Sequence, residues 1–318
     1  MLLRRRWPVP FATAVTIACA EQQTVKADSS EAVTAVVSAN QASPQPYEPL
    51  APVWDSAFGS FVGYRNGDST VVILLPSFSD ARSGDTTFDA SSVNGSRLDL
   101  FGSRGFVANA SVAGLGKLIE EDGCFAFSRG HLSVAPVATW SVAFPAGVAT
   151  GLESKDLSAM SSADSAQLVS QVMQITPLIP GALDPAWKTA PFIVEGAARL
   201  GLSDTTVIAA SVLRILPGPE HYAQHYFVVG ETASGGASGS WRLAYVHPDR
   251  SNPADSTVSG LDTEDEVGVA AAVVTKSDSR PVLLLETRGN EVNGYAALGR
   301  VGAGRWKVVW GGPHEGGC

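Results

Sequence analysis

The stretch from Glu264 to Cys318 constrains the fold more than any other part of this sequence. It holds four short apolar runs, VGVAAAVVTK, RPVLLLET, NGYAALGRV and RWKVVWGG, parted by turn signals at Ser277–Ser279, Gly289–Asn290 and Gly302–Gly304. Runs of this length, rich in Val, Leu and aromatic residues and bounded by Gly, Asn and Ser, predict strands. Strands that follow one another through tight turns pair with their chain neighbours, so the expected unit is an antiparallel meander. A meander is a folding unit and carries no chemistry by itself.

The same texture extends upstream. SAFGSFVGY and TVVILLPSF flank RNGDS, and Asn66-Gly67 is a dipeptide that accepts positive φ, which predicts a β-hairpin. RLDLFG, GFVANASV, GKLIEE, DGCFAFSRGHLSVAP and TWSVAFPAG add further short strands, with Cys124 among Phe125 and Phe127 on an alternating, half-buried pattern. Beyond them APFIV, DTTVIAASVLRIL, HYFVVGET and GSWRLAYVH read as strands too. With 32 Gly and 19 Pro in 318 residues, turns are frequent enough to support this density. One helix interrupts the pattern, in Ser158–Ile175. Ser161 or Ser162 can cap it, Asp164 suits the positive end of its dipole, and Leu168, Val172 and Ile175 form one apolar stripe. Pro177 and Pro180 stop it. The predicted fold is mainly β, built of antiparallel meanders in a sandwich or propeller-like arrangement, with one central α-helix near 160–176.

The two ends of the C-terminal half echo each other. Glu231-Thr232 answers Glu286-Thr287, and Trp241-Arg242 answers Arg305-Trp306. A period of about sixty residues is compatible with stacked meanders of the kind used in propeller blades. Trp241, Trp306 and Trp310 fall in strands, and the last two, four apart, are expected on one face as packing residues.

Arg4, Arg5 and Arg6 precede a ten-residue apolar run, Val9–Ala18. The run is too short for a bilayer core of about 30 Å and matches a secretory signal peptide. It closes on Val15-Thr16-Ile17-Ala18-Cys19, which resembles the lipobox of bacterial lipoproteins, with Thr16 where Leu is commoner. The resemblance implies cleavage before Cys19 and acylation of its sulfur. The expected organisation is a signal peptide over 1–18, a disordered tether over 19–51, rich in Gln, Ser, Ala and Pro, and a single β-rich body over 52–318. Within the body, 52–150 is the N-terminal half, 151–189 a helix-bearing linker and 190–318 the meander half. The expected location is the bacterial cell envelope, lipid-anchored, or alternatively the periplasm or the extracellular space.

Three cysteines are present, Cys19, Cys124 and Cys318. With Cys19 acylated in an exported chain, Cys124 and Cys318 are expected to form a disulfide in the oxidising compartment; two free thiols are the alternative. Such a bridge, closing a long loop, contributes at most roughly 5 kcal/mol.

Catalytic signatures are missing from the sequence. The histidines are His131, His221, His225, His247 and His314. His221 and His225 have the spacing of a helical zinc pair, but PGPEHYAQHYF starts from Pro-Gly-Pro and carries no glutamate between them, so a surface loop is expected. His247 precedes a proline and is expected in a turn. No Gly-x-Ser-x-Gly elbow or phosphate loop follows a strand. Two acidic loops offer candidate ligand-binding residues: Asp80, Asp85 and Asp89 in the first, Asp262, Glu264 and Glu266 in the second. No cofactor and no metal site is expected.

ADSAQLV, VIAASVLRI, VVGET and the ending RWKVVW…GC resemble an uncharacterised group of bacterial secreted lipoproteins, over Trp140–Cys318. Its motifs are structural, so the resemblance implies no activity. The final meander is also similar to FG-GAP-type repeats of integrin-like propellers, which hold calcium in an Asp-rich loop. DTEDEVG lacks the early glycine and Asn/Asp pattern of such loops and reads as a solvated acidic turn. The net charge of −9 grows more negative once Arg4, Arg5 and Arg6 are removed, which disfavours nucleic acid as a partner. The expected function is a cell-envelope lipoprotein acting as a non-enzymatic binding or scaffold module. Its membrane contact is the anchor at Cys19, and its partner class an envelope protein or a glycan. A secreted hydrolase with an acidic or Ser/His site is the alternative.

Overall fold

The computed structural model describes residues 54–74, 93–119, 126–133, 139–179, 189–215, 223–233, 240–248, 266–288 and 293–315. They belong to one compact unit that begins at Pro46. The fold is mainly β, with antiparallel sheets and a single α-helix among the described residues.

The first six strands close on themselves. β1 (Val62–Arg65) and β2 (Thr70–Leu74) form the hairpin expected around Gly67, whose φ is +104°. With β3 (Arg97–Gly102), β4 (Gly105–Ile119), β5 (Ala126–Leu132) and β6 (Val142–Pro145) they make a barrel in the order β1-β2-β5-β4-β3-β6, closed by β1 on β6. GFVANASV and GKLIEE, expected as separate strands, share the single strand β4, whose register shifts between Val112 and Gly114. Phe61, Val71, Ile73, Leu98, Leu100, Val112 and Trp140 form a core with Ala143. A six-stranded barrel is narrow, so small residues must share its interior with large ones. A Cβ at Gly63 would sit 2.4 Å from Val71 Cγ2, and one at Gly130 would meet Val71, Ile73 and Val112 at 3.0–3.2 Å.

The chain then leaves the barrel through two short strands that join different sheets. β7 (Ala149–Leu152) pairs with β13 (Glu266–Thr275), and β8 (Ser154–Asp156) pairs with β9 (Phe192–Gly201). The stretch read from sequence as the start of a linker therefore supplies a strand. Helix α1 (Ser162–Ile175) follows, capped by the Ser161 hydroxyl, which accepts from the Asp164 N–H; Leu168, Val172 and Ile175 are its buried stripe. The outer sheet is β12 (Arg242–Pro248), β11 (Ala223–Ala233), β10 (Thr205–Ile215), β9 (Phe192–Gly201) and β8. The inner sheet is β16 (Arg305–Glu315), β15 (Asn293–Gly302), β14 (Pro281–Arg288), β13 (Glu266–Thr275) and β7.

The two sheets share one topology, a four-stranded meander with a fifth strand beside its first member. The sequence echo is one strand out of step with this equivalence. Glu231 lies on β11, the third strand of its meander, whereas Glu286 lies on β14, the second of its own. The common Glu-Thr ending is a local coincidence of two apolar strands.

Packing stacks these parts in layers. Val62, Tyr64, Val72, Leu74, Phe101, Val142 and Phe144 on the outside of the barrel meet Ala271, Val273, Val282, Leu284, Tyr295, Ala297 and Trp310 of the inner sheet. The other face of the inner sheet, with Ala272, Leu283, Leu285, Leu298 and Trp306, meets Leu200, Val207, Ala209, Phe227 and Val229 of the outer sheet. The outer sheet's far face is covered by α1. A sheet buried on both faces needs apolar residues at successive positions, which is why AAAVV and VLLL do not alternate.

Trp306 and Trp310 correct the expectation of a shared face. Leu298 pairs with Val308 but Ala297 pairs with Trp310, so Val309 is an extra residue that breaks the alternation. Trp306 consequently packs toward the outer sheet and Trp310 toward the barrel.

Tyr64 makes the barrel's contact with the inner sheet costly. Its ring lies 4.1 Å from that of Tyr295, and its hydroxyl is buried without a hydrogen-bond partner among the described residues. Burial pushes the phenol's pKa well up, and the neighbouring Tyr295 and Glu286 push it further. An unsatisfied buried hydroxyl destabilises the folded state, so Tyr64→Phe should raise stability by about 1 kcal/mol. Urea denaturation checks this; a loss of similar size would show that the hydroxyl is satisfied in solution.

Candidate functional site

The best candidate lies at one end of the outer sheet, where β9 and β11 begin and β10 ends. β10 is apolar along nearly its whole length, TTVIAASVLRI, with a single charged residue near its end. Across the three strands Phe192 stands opposite Arg214, and Arg214 opposite Gln224. One residue is inserted in β9: Ser211 pairs with Gly196 while Val212 pairs with Val194, leaving Glu195 as the bulge. Bulges re-aim side chains and are frequent beside binding and active sites.

The helix-side face of this end carries a guanidinium on an aromatic base. Arg214 is 8% exposed, and its Cζ lies 3.8 Å from the centre of the Phe192 ring. Phe192 in turn meets Tyr226 edge-on at 6.1 Å, and the Tyr226 hydroxyl donates to Gln224 Oε1 at 2.8 Å. Arg214 Nε and Nη1 are buried with no hydrogen-bond partner among the described residues. Desolvation pulls the Arg214 pKa below its ordinary value, with Tyr226 acting weakly in the other direction.

The opposite face carries a histidine–carboxylate pair. His225 Nδ1 and Glu195 Oε2 are 3.2 Å apart, with side chains 11% and 25% exposed. The contact is an ion pair when the imidazole is protonated, and when it is neutral Nδ1–H can donate to the carboxylate. Leu213 lies between the two strands on this face, and Ile193 at the strand start is 46% exposed. His225 thus sits on β11, in line with the strand expected for HYFVVGET, and not in the surface loop expected for the His221–His225 pair. His247 is likewise on a strand, β12, opposite Phe227, where a turn was expected.

A second polar cluster joins the two sheets. Glu231 on β11 is 4% exposed, and both of its oxygens are occupied. Trp306 Nε1 donates to Oε1 at 2.5 Å and Arg300 Nε at 2.9 Å; Gly304 N–H donates to Oε2 at 2.7 Å and Arg300 Nη2 at 3.2 Å. Arg300 also reaches Asp204, in the β9–β10 turn, through Nη1 and Nη2 at 3.1 Å. The hydrogen bond from Arg300 holds the Asp204 carboxyl below its ordinary pKa despite a small opposing effect of desolvation, helped by the charge of Arg300 and by Asp204's own backbone N–H. This cluster is internally complete and serves as a bolt between sheets.

The residues singled out from sequence are not gathered here. Asp80, Asp85, Asp89, Asp262, Glu264, Cys19, Cys124, Cys318 and His221 lie outside the described residues. Glu266 opens β13 opposite Arg288. His131, His225, His247 and His314 are on four different strands. Among the described residues no three His, Cys, Asp or Glu side chains converge in a way that suits a metal ion. Arg214 escaped the sequence reading, although a lone charge inside an apolar strand is a visible signal. Glu195 had no local signal, because its partner is thirty residues away and its direction depends on the bulge. No protein-family model matches the chain, and no curated protein or solved structure does so either.

Proposed function

We propose that this protein is a cell-envelope lipoprotein, tethered through an acylated Cys19, whose β body is a non-enzymatic binding or scaffold module. The observation that carries the reading is how the body's charges are used. Its most elaborate buried cluster, Glu231 with Arg300, Trp306 and Gly304, is saturated from within and holds two sheets together. A rigid stack of sheets on a tether is suited to presenting a surface, with the end of the outer sheet as the place for contact. Arg4, Arg5, Arg6, the apolar run Val9–Ala18 and the lipobox-like residues ending at Cys19 support the anchor. The acyl chains would hold the body at a membrane through buried CH₂ groups, each contributing about 0.8 kcal/mol.

The test is fractionation of a bacterial host expressing the full chain. The wild type should stay with membranes through high-salt washing and gain the mass of an acylated cysteine, while Cys19→Ala should move to the soluble fraction. Membrane retention of Cys19→Ala would overturn the anchor. The hydrolase alternative draws on the His225–Glu195 pair, which has the geometry of a base and its orienting carboxylate. Turnover of ester or glycoside probes by the purified protein, abolished in His225→Ala, would move the assignment there.

A further inference from the structure

We propose that the end of the outer sheet around Arg214 binds a small oxyanion, a phosphate or carboxylate group held by the guanidinium. The inference deepens the binding reading above and rests on it only in treating the body as a binder.

A buried arginine stays charged, so burial without an anion leaves its desolvation uncompensated. Arg214 is in that condition: it is more than nine-tenths buried, and Nε and Nη1 find no acceptor among the described residues. Its surroundings supply the wrong kind of group. Phe192 offers a ring face, which attracts the cation but takes none of its in-plane N–H bonds, and the Gln224 carbonyl accepts from the Tyr226 hydroxyl while its amide N–H₂ is a further donor. Glu195, on the neighbouring strand β9, is engaged with His225 on the other face. Among the described residues no acceptor lies within hydrogen-bonding reach of Nε or Nη1, and such a surplus of donors suits an oxyanion.

The guanidinium is also held in place before any ligand arrives. Stacking at 3.8 Å on Phe192 fixes its plane, and Tyr226 packs edge-on against Phe192. A fixed planar fork loses little entropy on pairing with a carboxylate or phosphate. The Glu231 bolt shows the contrast within the same molecule, since Arg300, equally enclosed by strands, is given two carboxylates. Covering Phe192 does not by itself call for an arginine at position 214, because an apolar side chain of similar length would do so without a buried charge.

Thermal unfolding of the full-length protein in detergent tests this, with chloride, acetate and phosphate at matched ionic strength. Phosphate stabilises many proteins by exclusion from their surface, so the reading is the difference between the wild type and Arg214→Met. The wild-type Tm should rise in phosphate or acetate by about 3 °C more than that of the variant, as expected of a ligand well above its Kd. In chloride, Arg214→Met should melt no lower than the wild type, because it removes an unpaired buried charge. Arg214→Lys, which keeps the charge and loses the planar fork, should weaken the anion effect about tenfold in titration midpoint. Equal shifts in the wild type and both variants, or no anion-dependent shift in the wild type, would overturn the site. Neither result touches the Cys19 fractionation, so the anchor and the oxyanion site fail separately.

Discussion

Alanine at Glu231 should lower the stability of the folded protein by about 3–5 kcal/mol, read as a fall in the denaturation midpoint with an unchanged slope. The size follows from what is left behind. Removing the carboxylate leaves the Trp306 indole N–H, the Gly304 N–H and one side of the Arg300 guanidinium with no acceptor, inside a joint where Glu231 itself is 4% exposed. A broken buried pair costs more than the pair contributed, because the surviving charge keeps its desolvation. Glutamine should fare little better, since its amide N–H₂ must face donors that need an acceptor. Asp204→Asn is the control at the other end of Arg300. The Asp204 side chain is 56% exposed, so that change should cost less than about 1 kcal/mol. The depressed Asp204 pKa sets the sign of its pH dependence. Its contribution is present above the unfolded carboxyl value and is lost as pH falls through the lower folded value, a loss Asp204→Asn should not show. A Glu231→Ala loss no larger than that of Asp204→Asn would mean that water replaces the carboxylate and that the joint is not a dry one.

How much of this joint was open to sequence reasoning depends on the range of the interaction. The final meander, the hairpin at Gly67 and the cap of α1 by Ser161 were all readable, because each is settled within a few residues by alternation, turn chemistry or a side-chain oxygen. Barrel closure was not. Gly63 pairs with Ala143 and Val71 with Gly130, and a strand's local pattern says that it will pair without naming the partner. The candidate site escaped for a related reason. The extra residue Glu195 reverses the alternation of β9, so a face counted from one end is wrong at the other. His221 and His225 stand at a helical spacing in the sequence, but the residues around His225, AQHYFVVGETA, form a strand and give it Glu195 as a neighbour. In the sequence Glu231 stands out only as part of the Glu-Thr echo. Its role became visible when β11 was laid against the β15–β16 hairpin, whose turn residue Gly304 has φ +65° and aims its N–H at the carboxylate.

The bulge at Val309 leads to the second large effect. Trp310→Ala should cost about 3–5 kcal/mol, as expected for truncating a buried aromatic side chain. Trp310 is the inner sheet's main contribution to the aromatic contact with the chain entering the barrel. It meets Trp54 at 5.8 Å and Phe58 at 6.5 Å, both edge-on, and Phe58 continues to Phe144 at 5.8 Å. The cavity left by alanine would lie between layers that cannot close on it, because Asp55 and Arg280 pair across the same junction and Trp54 Nε1 donates to the Gly59 carbonyl at 2.9 Å. Whether the bulge divides the two tryptophans can be read from a milder double-mutant cycle with Trp306→Phe and Trp310→Phe. On opposite faces they belong to separate cores, and their losses should add to within about 0.5 kcal/mol. On one face, as an unbroken alternation requires, they would share neighbours and couple. A coupling above about 1 kcal/mol would therefore remove the bulge. With it would go the separation of the barrel contact from the sheet-to-sheet joint, because Trp306 can face Glu231 while Trp310 faces the barrel only if Val309 breaks the alternation between them.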